Sequence, residues 1–246
     1  MIDLRKQRVL IVGGSSGIGR SLGQQCADAG ARVAFAARRS ELVAEAAAEG
    51  GARCLGLSGD VRDPEDCRRF IEESAVMFGG LDVVVYAAGL SPLTRFVDAG
   101  PETWRTVLET NVLGAAMVSR AAIPHLAASK GRLVVLGSSS VGRPYPGLVP
   151  YITSKAALHE MARGLRNEYP ELSVTTFVVG PTITGFADSW NAELSAAMFT
   201  RWSVEGYPAG SAMTAADAAL QILHVLASGA RIDEVHVMPD PPTPAG

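Results

Sequence analysis

Apolar runs too short for a helix alternate with longer amphipathic stretches along this whole chain, and few folds accept that rhythm. Residues 8–13 (RVLIVG), 32–37 (RVAFAA), 53–58 (RCLGLS), 81–89 (LDVVVYAAG), 131–137 (GRLVVLG), 172–179 (LSVTTFVV) and 233–238 (DEVHVM) read as strands. Residues 20–30, 40–50, 64–80, 101–128, 151–169 and 214–228 read as helices between them, with Pro64 opening one and Gly30 closing another. The strands are apolar throughout rather than at alternate positions. Burial on both faces of a parallel sheet requires that. The expectation is an α/β fold: a doubly wound (Rossmann) parallel sheet of about seven strands with helices on both faces. With 246 residues, 48% of them apolar, and no repeat or linker, residues 1–246 are expected to form a single domain. The proline-rich tail 239–246 cannot enter a sheet interior and is expected to be loose.

A net charge of −3 without a basic stripe speaks against nucleic acid as a partner. No apolar stretch reaches the ~20 residues of a membrane helix, so no membrane is expected. The N-terminal apolar run is short for a signal peptide. Cys26, Cys54 and Cys67 are dispersed, which argues for a reducing, cytoplasmic setting. His125, His159, His224 and His236 lack metal-ligand spacing; surface or packing roles are assigned to them, and no metal is expected.

Between the first strand and the first helix lies VGGSSGIGR, with Gly13, Gly17 and Gly19 spaced G-x-x-x-G-x-G. Such a turn brings backbone close to a ligand, and the helix behind it offers free N–H groups to a pyrophosphate. The second strand ends in AARRS. An acidic residue there would hold a ribose 2′-hydroxyl; here Ala37 replaces it, and Arg38 and Arg39 suit a 2′-phosphate. NADP(H) is therefore expected over NAD(H). Asp60 ends the third strand region and is a candidate acceptor for an adenine amino group.

Tyr151 and Lys155 are four apart in PYITSKAALHEMARGL, so they share a helix face, with Leu158, Met161 and Leu165 turned to the core. A neighbouring ammonium lowers a phenol's pKa and brings it towards acid–base use.

Taken together, GGSSGIG, AAG at 87–89, Asn111 in TNVLGA, the serines of LGSSSVG and YITSK identify the chain as resembling the short-chain dehydrogenase/reductase family over roughly residues 7–238. The resemblance implies a catalytic set of Asn111, Ser138, Tyr151 and Lys155. Tyr151 would exchange the proton, Lys155 would lower its pKa and bind the nicotinamide ribose, Asn111 would hold a relay water, and the serine would polarise the substrate oxygen. It also implies cofactor contacts at Gly13, Ser15, Ser16, Gly17, Ile18, Gly19, Arg38, Arg39, Asp60, Val61, Ala88, Gly89, Tyr151, Lys155, Gly180, Thr182 and Thr184. Departures from the family pattern are Val12 for a usual Thr, Tyr86 and Ala87 for a usual Asn pair, and Val179 for a usual Pro. They bear on cofactor affinity more than on chemistry.

Which serine acts is not settled by spacing. Counting along the strand, and back from Tyr151, selects Ser138. Counting back from Gly142 selects Ser139, and Ser140 is left as a turn residue. Residues 182–212 are expected to cover the substrate. Phe186, Trp190, Phe199, Trp202 and Tyr207 make that segment bulky and apolar, which suits a hydrophobic or cyclic carbonyl/alcohol substrate. No arginine clamp for a substrate carboxylate is obvious; Arg143 and Arg201 are the nearest candidates. The family pattern implies a homodimer or homotetramer through the helices at 101–128 and 151–169. The expected function is NADP(H)-dependent interconversion of a ketone and a secondary alcohol; the alternative is a non-catalytic NADP(H)-binding sensor or scaffold.

Overall fold

The computed structural model describes residues 2–207 and 212–240. Seven parallel strands form its sheet: β1 (Arg8–Val12), β2 (Arg32–Ala37), β3 (Cys54–Ser58), β4 (Val83–Tyr86), β5 (Arg132–Ser138), β6 (Ser173–Val179) and, last in the chain, β9 (Glu234–Val237). Their spatial order is β3-β2-β1-β4-β5-β6-β9. The chain winds outward from β1 to β3, returns to lay β4 against β1, and winds outward again. The reversal opens a crevice at the carboxyl ends of β1 and β4, where sheets of this kind bind ligands.

Alternate strand residues feed two separate cores, as apolar runs buried on both faces should. Leu10, Val12, Val84 and Leu133 pack on one face with α3 (Pro64–Phe78), α5 (Gly114–Ser129) and α6 (Val149–Glu168). Val9, Ile11, Val85 and Val134 pack on the other with α1 (Gly17–Asp28), α2 (Ser40–Gly50) and α8 (Ala215–Ser228). Leu158 is fully buried, and Met161 and Leu165 pack beside it. At the entry to β5 the buried Arg132 guanidinium donates to the carbonyls of Val225 (2.9 Å) and Ala230 (3.0 Å), tying α8 to the sheet.

Four details differ from the sequence expectation. The first helix begins at Gly17, because its first turn is the end of the glycine segment itself. The strand expected over 81–89 ends at Tyr86, after which Ala87–Gly89 leave the sheet and run beneath the β1 turn. The helix expected over 101–128 is α4 (Pro101–Leu108), a π turn (Glu109–Leu113) and α5. By length and composition this unbroken run, Pro101–Ser129, could cross a bilayer, which the sequence reading did not anticipate. Here one side of it, including Val107, Ala115, Val118 and Leu126, packs into the protein while Leu113 is exposed. Finally, the covering segment contains helix α7 (Ala192–Val204), capped by Asn191, and opens with β7 (Thr182–Ile183), which pairs in parallel with β8 (Met213–Thr214) just beyond it. Residues 208–211 of that segment and 241–246 of the proline-rich tail lie outside the described residues.

Candidate active site

The glycine turn is shaped first by the protein's own backbone. Gly13 has φ +93°, and a Cβ there would lie 2.7 Å from the Ala87 carbonyl carbon and 2.8 Å from the Ala88 Cα. A Cβ on Gly19 would overlap the Gly13 carbonyl oxygen. These two glycines let α1, the β1 turn and the β4 exit sit within contact. A Cβ on Gly17 (φ +54°) would lie 3.4 Å from the Thr184 methyl, so the N-terminus of α1 looks across at the segment after β6. Ser16 caps α1 without a side-chain bond to its N–H groups. Instead the Arg39 guanidinium bridges Ser15 Oγ (3.0 Å) and Ser16 Oγ (2.7 Å) at the helix start.

Other residues expected at the cofactor have visible partners. Asp60 accepts from the Arg62 guanidinium (2.6 Å) and backbone N–H (3.0 Å), which holds its carboxyl below the usual range, with Arg38 adding to the effect. Part of its accepting capacity is thus engaged by Arg62 rather than left for an adenine. The Val61 side chain is in the core, and Ile18 packs against the other core. A Cβ on Gly180 would meet Met238 and Pro239, so a glycine there admits the exit of β9. Thr182 donates to the Gly180 carbonyl (3.0 Å), and Thr184 caps the turn at Phe186.

Ser138, Tyr151 and Lys155 come together at the carboxyl end of β5, each less than a tenth exposed. Ser138, not Ser139, is the hydroxyl that acts on the Tyr151 phenol and lowers its pKa. Ser140, expected to be only a turn residue, is also buried, with its Oγ 2.8 Å from Ser138 Oγ and its N–H donating to that oxygen. Burial pushes the Tyr151 phenol up to about 12, and the Ser138 hydroxyl pulls it partly back. The expected lowering by Lys155 is absent from this geometry. Lys155 Nζ donates to the Leu136 carbonyl at 2.7 Å and stands 5.8 Å from the Tyr151 ring centre. Burial brings the Lys155 ammonium down to about 8. At neutral pH Tyr151 therefore holds its proton and is equipped to donate it.

Asn111 lies in the π turn and is completely buried. Its amide donates to the Leu90 carbonyl (3.0 Å) and to Ser154 Oγ (2.8 Å), while its Oδ1 accepts from Leu90 N–H (2.9 Å). Both donors are engaged, so the side chain braces the β4 exit against α6, and a relay water would have only Oδ1 to bind. Ala88 and Gly89 form that exit. A Cβ on Gly89 would lie 3.4 Å from Asn111 Oδ1 and 3.6 Å from Lys155 Nζ.

Residues 7–195 match the sequence pattern of the family described as short chain dehydrogenase. The chain belongs to that family. It is 35% identical to 11-beta-hydroxysteroid dehydrogenase-like 3 of Arabidopsis thaliana over 74% of this chain and 61% of that protein. It is 36% identical to 11-beta-hydroxysteroid dehydrogenase A of Sesamum indicum over 72% of this chain and 53% of that one. The chain thus spans between about half and three fifths of these curated relatives. A short-chain dehydrogenase from Streptomyces avermitilis superposes with a TM-score of 0.81 at 26% identity, covering 94% of this chain and 88% of that one. An archaeal alcohol dehydrogenase from Thermococcus sibiricus, complexed with 5-hydroxy-NADP, shares the fold with a TM-score of 0.81 at 23% identity, over 98% and 99% of the two chains.

Within this short-chain dehydrogenase, three supporting residues escaped the sequence reading. Ser154 donates to the Tyr151 carbonyl (2.6 Å) while receiving Asn111, and so ties the π turn to the first turn of α6. Ser140 locks the Ser138 rotamer. Tyr86, one of the departures, donates its hydroxyl to the Thr110 carbonyl in the π turn, with Gly114 leaving room for it. A phenol from β4 thus supports the bulge that carries Asn111. The available signals were small: an i,i+3 serine after Tyr151, a third serine in a row, and an aromatic ending an otherwise aliphatic strand.

The covering segment rests on Tyr151. Phe186 meets its ring edge-on at 5.2 Å, followed by Trp190, Phe199 and Trp202 with ring centres 5.1–6.3 Å apart. Trp190 Nε1 donates to the Ser91 carbonyl (2.6 Å) and Trp202 Nε1 to that of Pro146 (3.0 Å), anchoring the segment to the body. Phe186 and Phe199 keep exposed surface. Arg201 pairs with Glu205 at 2.7 Å, and Arg143 donates to the Glu205 and Gly206 carbonyls, so both candidate arginines are engaged at the end of the segment.

Proposed function

We propose that this short-chain dehydrogenase is an NADP(H)-dependent oxidoreductase that interconverts a ketone and a secondary alcohol on a hydrophobic, cyclic substrate. The observation that carries the reading is the buried Ser138–Tyr151–Lys155 group beneath an aromatic cover. It sits at the crevice that the α1 N-terminus and Arg39 also face. The first turn of α1, uncapped by side chains, together with Ser15 and Ser16, suits a pyrophosphate. Arg38 and Arg39, at the end of β2, suit a 2′-phosphate. The nicotinamide of that cofactor supplies the hydride. Ser138 polarises the substrate oxygen, Tyr151 gives it a proton, and Lys155 holds a proton behind Tyr151. Phe186 and Phe199 supply an apolar face, and relatives named for hydroxysteroids support a fused-ring substrate.

A panel of cyclic and open-chain ketones, followed by loss of NADPH absorbance, tests the reaction. Turnover should favour bulky cyclic ketones, and a wild type that binds NADPH tightly yet reduces none of them would instead support the sensor reading. Replacing both Arg38 and Arg39 by Ala should weaken NADPH by about 10- to 100-fold, the worth of charge-assisted bonds to one phosphate. NADH should change by less than about threefold, and equal losses would remove the 2′-phosphate assignment. The exposed apolar side of Pro101–Ser129 supports a homodimer or homotetramer through α4, α5 and α6; light scattering giving a monomer at micromolar concentration would refute it. Free Cys26, Cys54 and Cys67 support a cytoplasmic setting, which imaging of the tagged protein would check.

A further inference from the structure

Tyr151, Lys155 and His159 follow one another at four-residue steps, so one face of α6 carries all three. Each meets the last three residues of β5. The Tyr151 phenol is lowered by the Ser138 hydroxyl and Lys155 donates to the Leu136 carbonyl; His159 Nε2 lies 3.2 Å from the Ser138 backbone nitrogen. A backbone N–H can only donate, so Nε2 must present its lone pair and the ring proton must sit on Nδ1. The residue between these contacts is Gly137. A Cβ there would stand 2.8 Å from His159 Cδ2 and 3.1 Å from Cε1, and would overlap Nε2. Gly137 is thus the seat that lets the imidazole reach past β5 to the next amide.

We propose that His159 is a positioning residue: its neutral ring holds the Ser138 N–H and thereby aims the Ser138 hydroxyl at the Tyr151 phenol. The inference rests on the proposed roles of Ser138 and Tyr151. Protonation would set an N–H against an N–H, break the bond and free the end of β5. The charged and titratable groups around the ring are Lys155 and Arg166 on α6 and Glu234 and His236 on β9. Burial is the largest influence and keeps the ring neutral below its usual 6.5, with Glu234 opposing and the cations assisting. The neutral form, and with it the Ser138 bond, therefore persists through that value and is lost only as pH falls further.

The test uses the full chain and compares wild type, His159→Leu, His159→Gln and Ser138→Ala. Readouts are kcat and KM for the best ketone of the panel, NADPH affinity by fluorescence, melting temperature, and the ¹⁵N shifts of His159. His159→Leu should lower kcat about tenfold or more with NADPH affinity unchanged, since misaiming a reacting group costs rate rather than binding. His159→Gln, whose carbonyl can accept the same N–H at any pH, should recover most of that loss. It should also lack the fall in reduction that the wild type shows below the histidine's normal range. The wild-type shifts should report the Nδ1–H tautomer. A His159→Leu kcat within twofold of wild type, or Leu and Gln variants falling together with their melting temperatures, would overturn the inference. A proton on Nε2 would do the same. If Ser138→Ala keeps full activity, the proposed roles fail and this inference with them. If Ser138→Ala is inactive while His159→Leu is not, the inference alone fails.

Discussion

Tyr151→Phe is expected to bind NADPH as the wild type does and to lose about 10²–10⁴-fold in kcat, the usual worth of a positioned general acid. The substitution keeps the ring that Phe186 packs against at 5.2 Å, so the covering segment should stay in place. What is lost is a proton donor that burial pushes up to about 12 and that Ser138 lowers in part. The pH dependence follows from the second buried group. Lys155 keeps its proton up to about 8. Reduction consumes a proton, so its rate should be level from that pH down to the range where His159 takes up its proton, and fall above it. Oxidation needs the site to accept a proton, so it should rise through the same range. In Lys155→Met the limb near 8 should vanish along with most of the activity. Unchanged turnover in Tyr151→Phe would remove it from the chemistry, and a reduction rate level to pH 10 would remove Lys155 from the proton balance.

Gly13→Ala should be the most damaging single methyl group in the cofactor region. Alanine at φ +93° is strained by about 1–3 kcal/mol, and the new Cβ meets the Ala87–Ala88 backbone, which cannot swing aside as a side chain would. A total loss of about 2–4 kcal/mol implies a melting point lower by about 10 °C for a chain this size. NADPH affinity should fall with it, because the β1 turn, α1 and the β4 exit share that contact. Gly100→Ser is the control. Gly100 caps α4 at φ −68° with open space around it, so a serine there should be neutral or slightly stabilising. If calorimetry finds the two variants alike, the contact at Gly13 is not what demands a glycine.

Most of the sheet was legible because seven apolar runs buried on both sides leave little choice of architecture. The glycine turn, the paired arginines and the Tyr151–Lys155 face were legible for a related reason: each lies within one element or one turn, where spacing alone sets geometry. The covering segment was less so. Its aromatics were visible, but Asn191 as the cap of α7, and the tryptophans' bonds to Ser91 and Pro146, depend on chain brought in from elsewhere.

The sequence by itself therefore determined the parallel sheet with helices on both faces, the glycine turn after β1 and the four-residue step between Tyr151 and Lys155, all consequences of local periodicity and spacing. Only the tertiary structure decided which serine faces the phenol, because spacing from Tyr151 and from Gly142 disagreed by one residue and the end of β5 had to be placed against α6. It also decided that Lys155 bonds Leu136 rather than tuning Tyr151 directly, that Tyr86 supports the π turn under Asn111, and that His159 reaches Ser138 across Gly137. Each of these is a contact between segments far apart in the chain, made in a buried interior where an unsatisfied N–H or carbonyl is costly and so selects one partner.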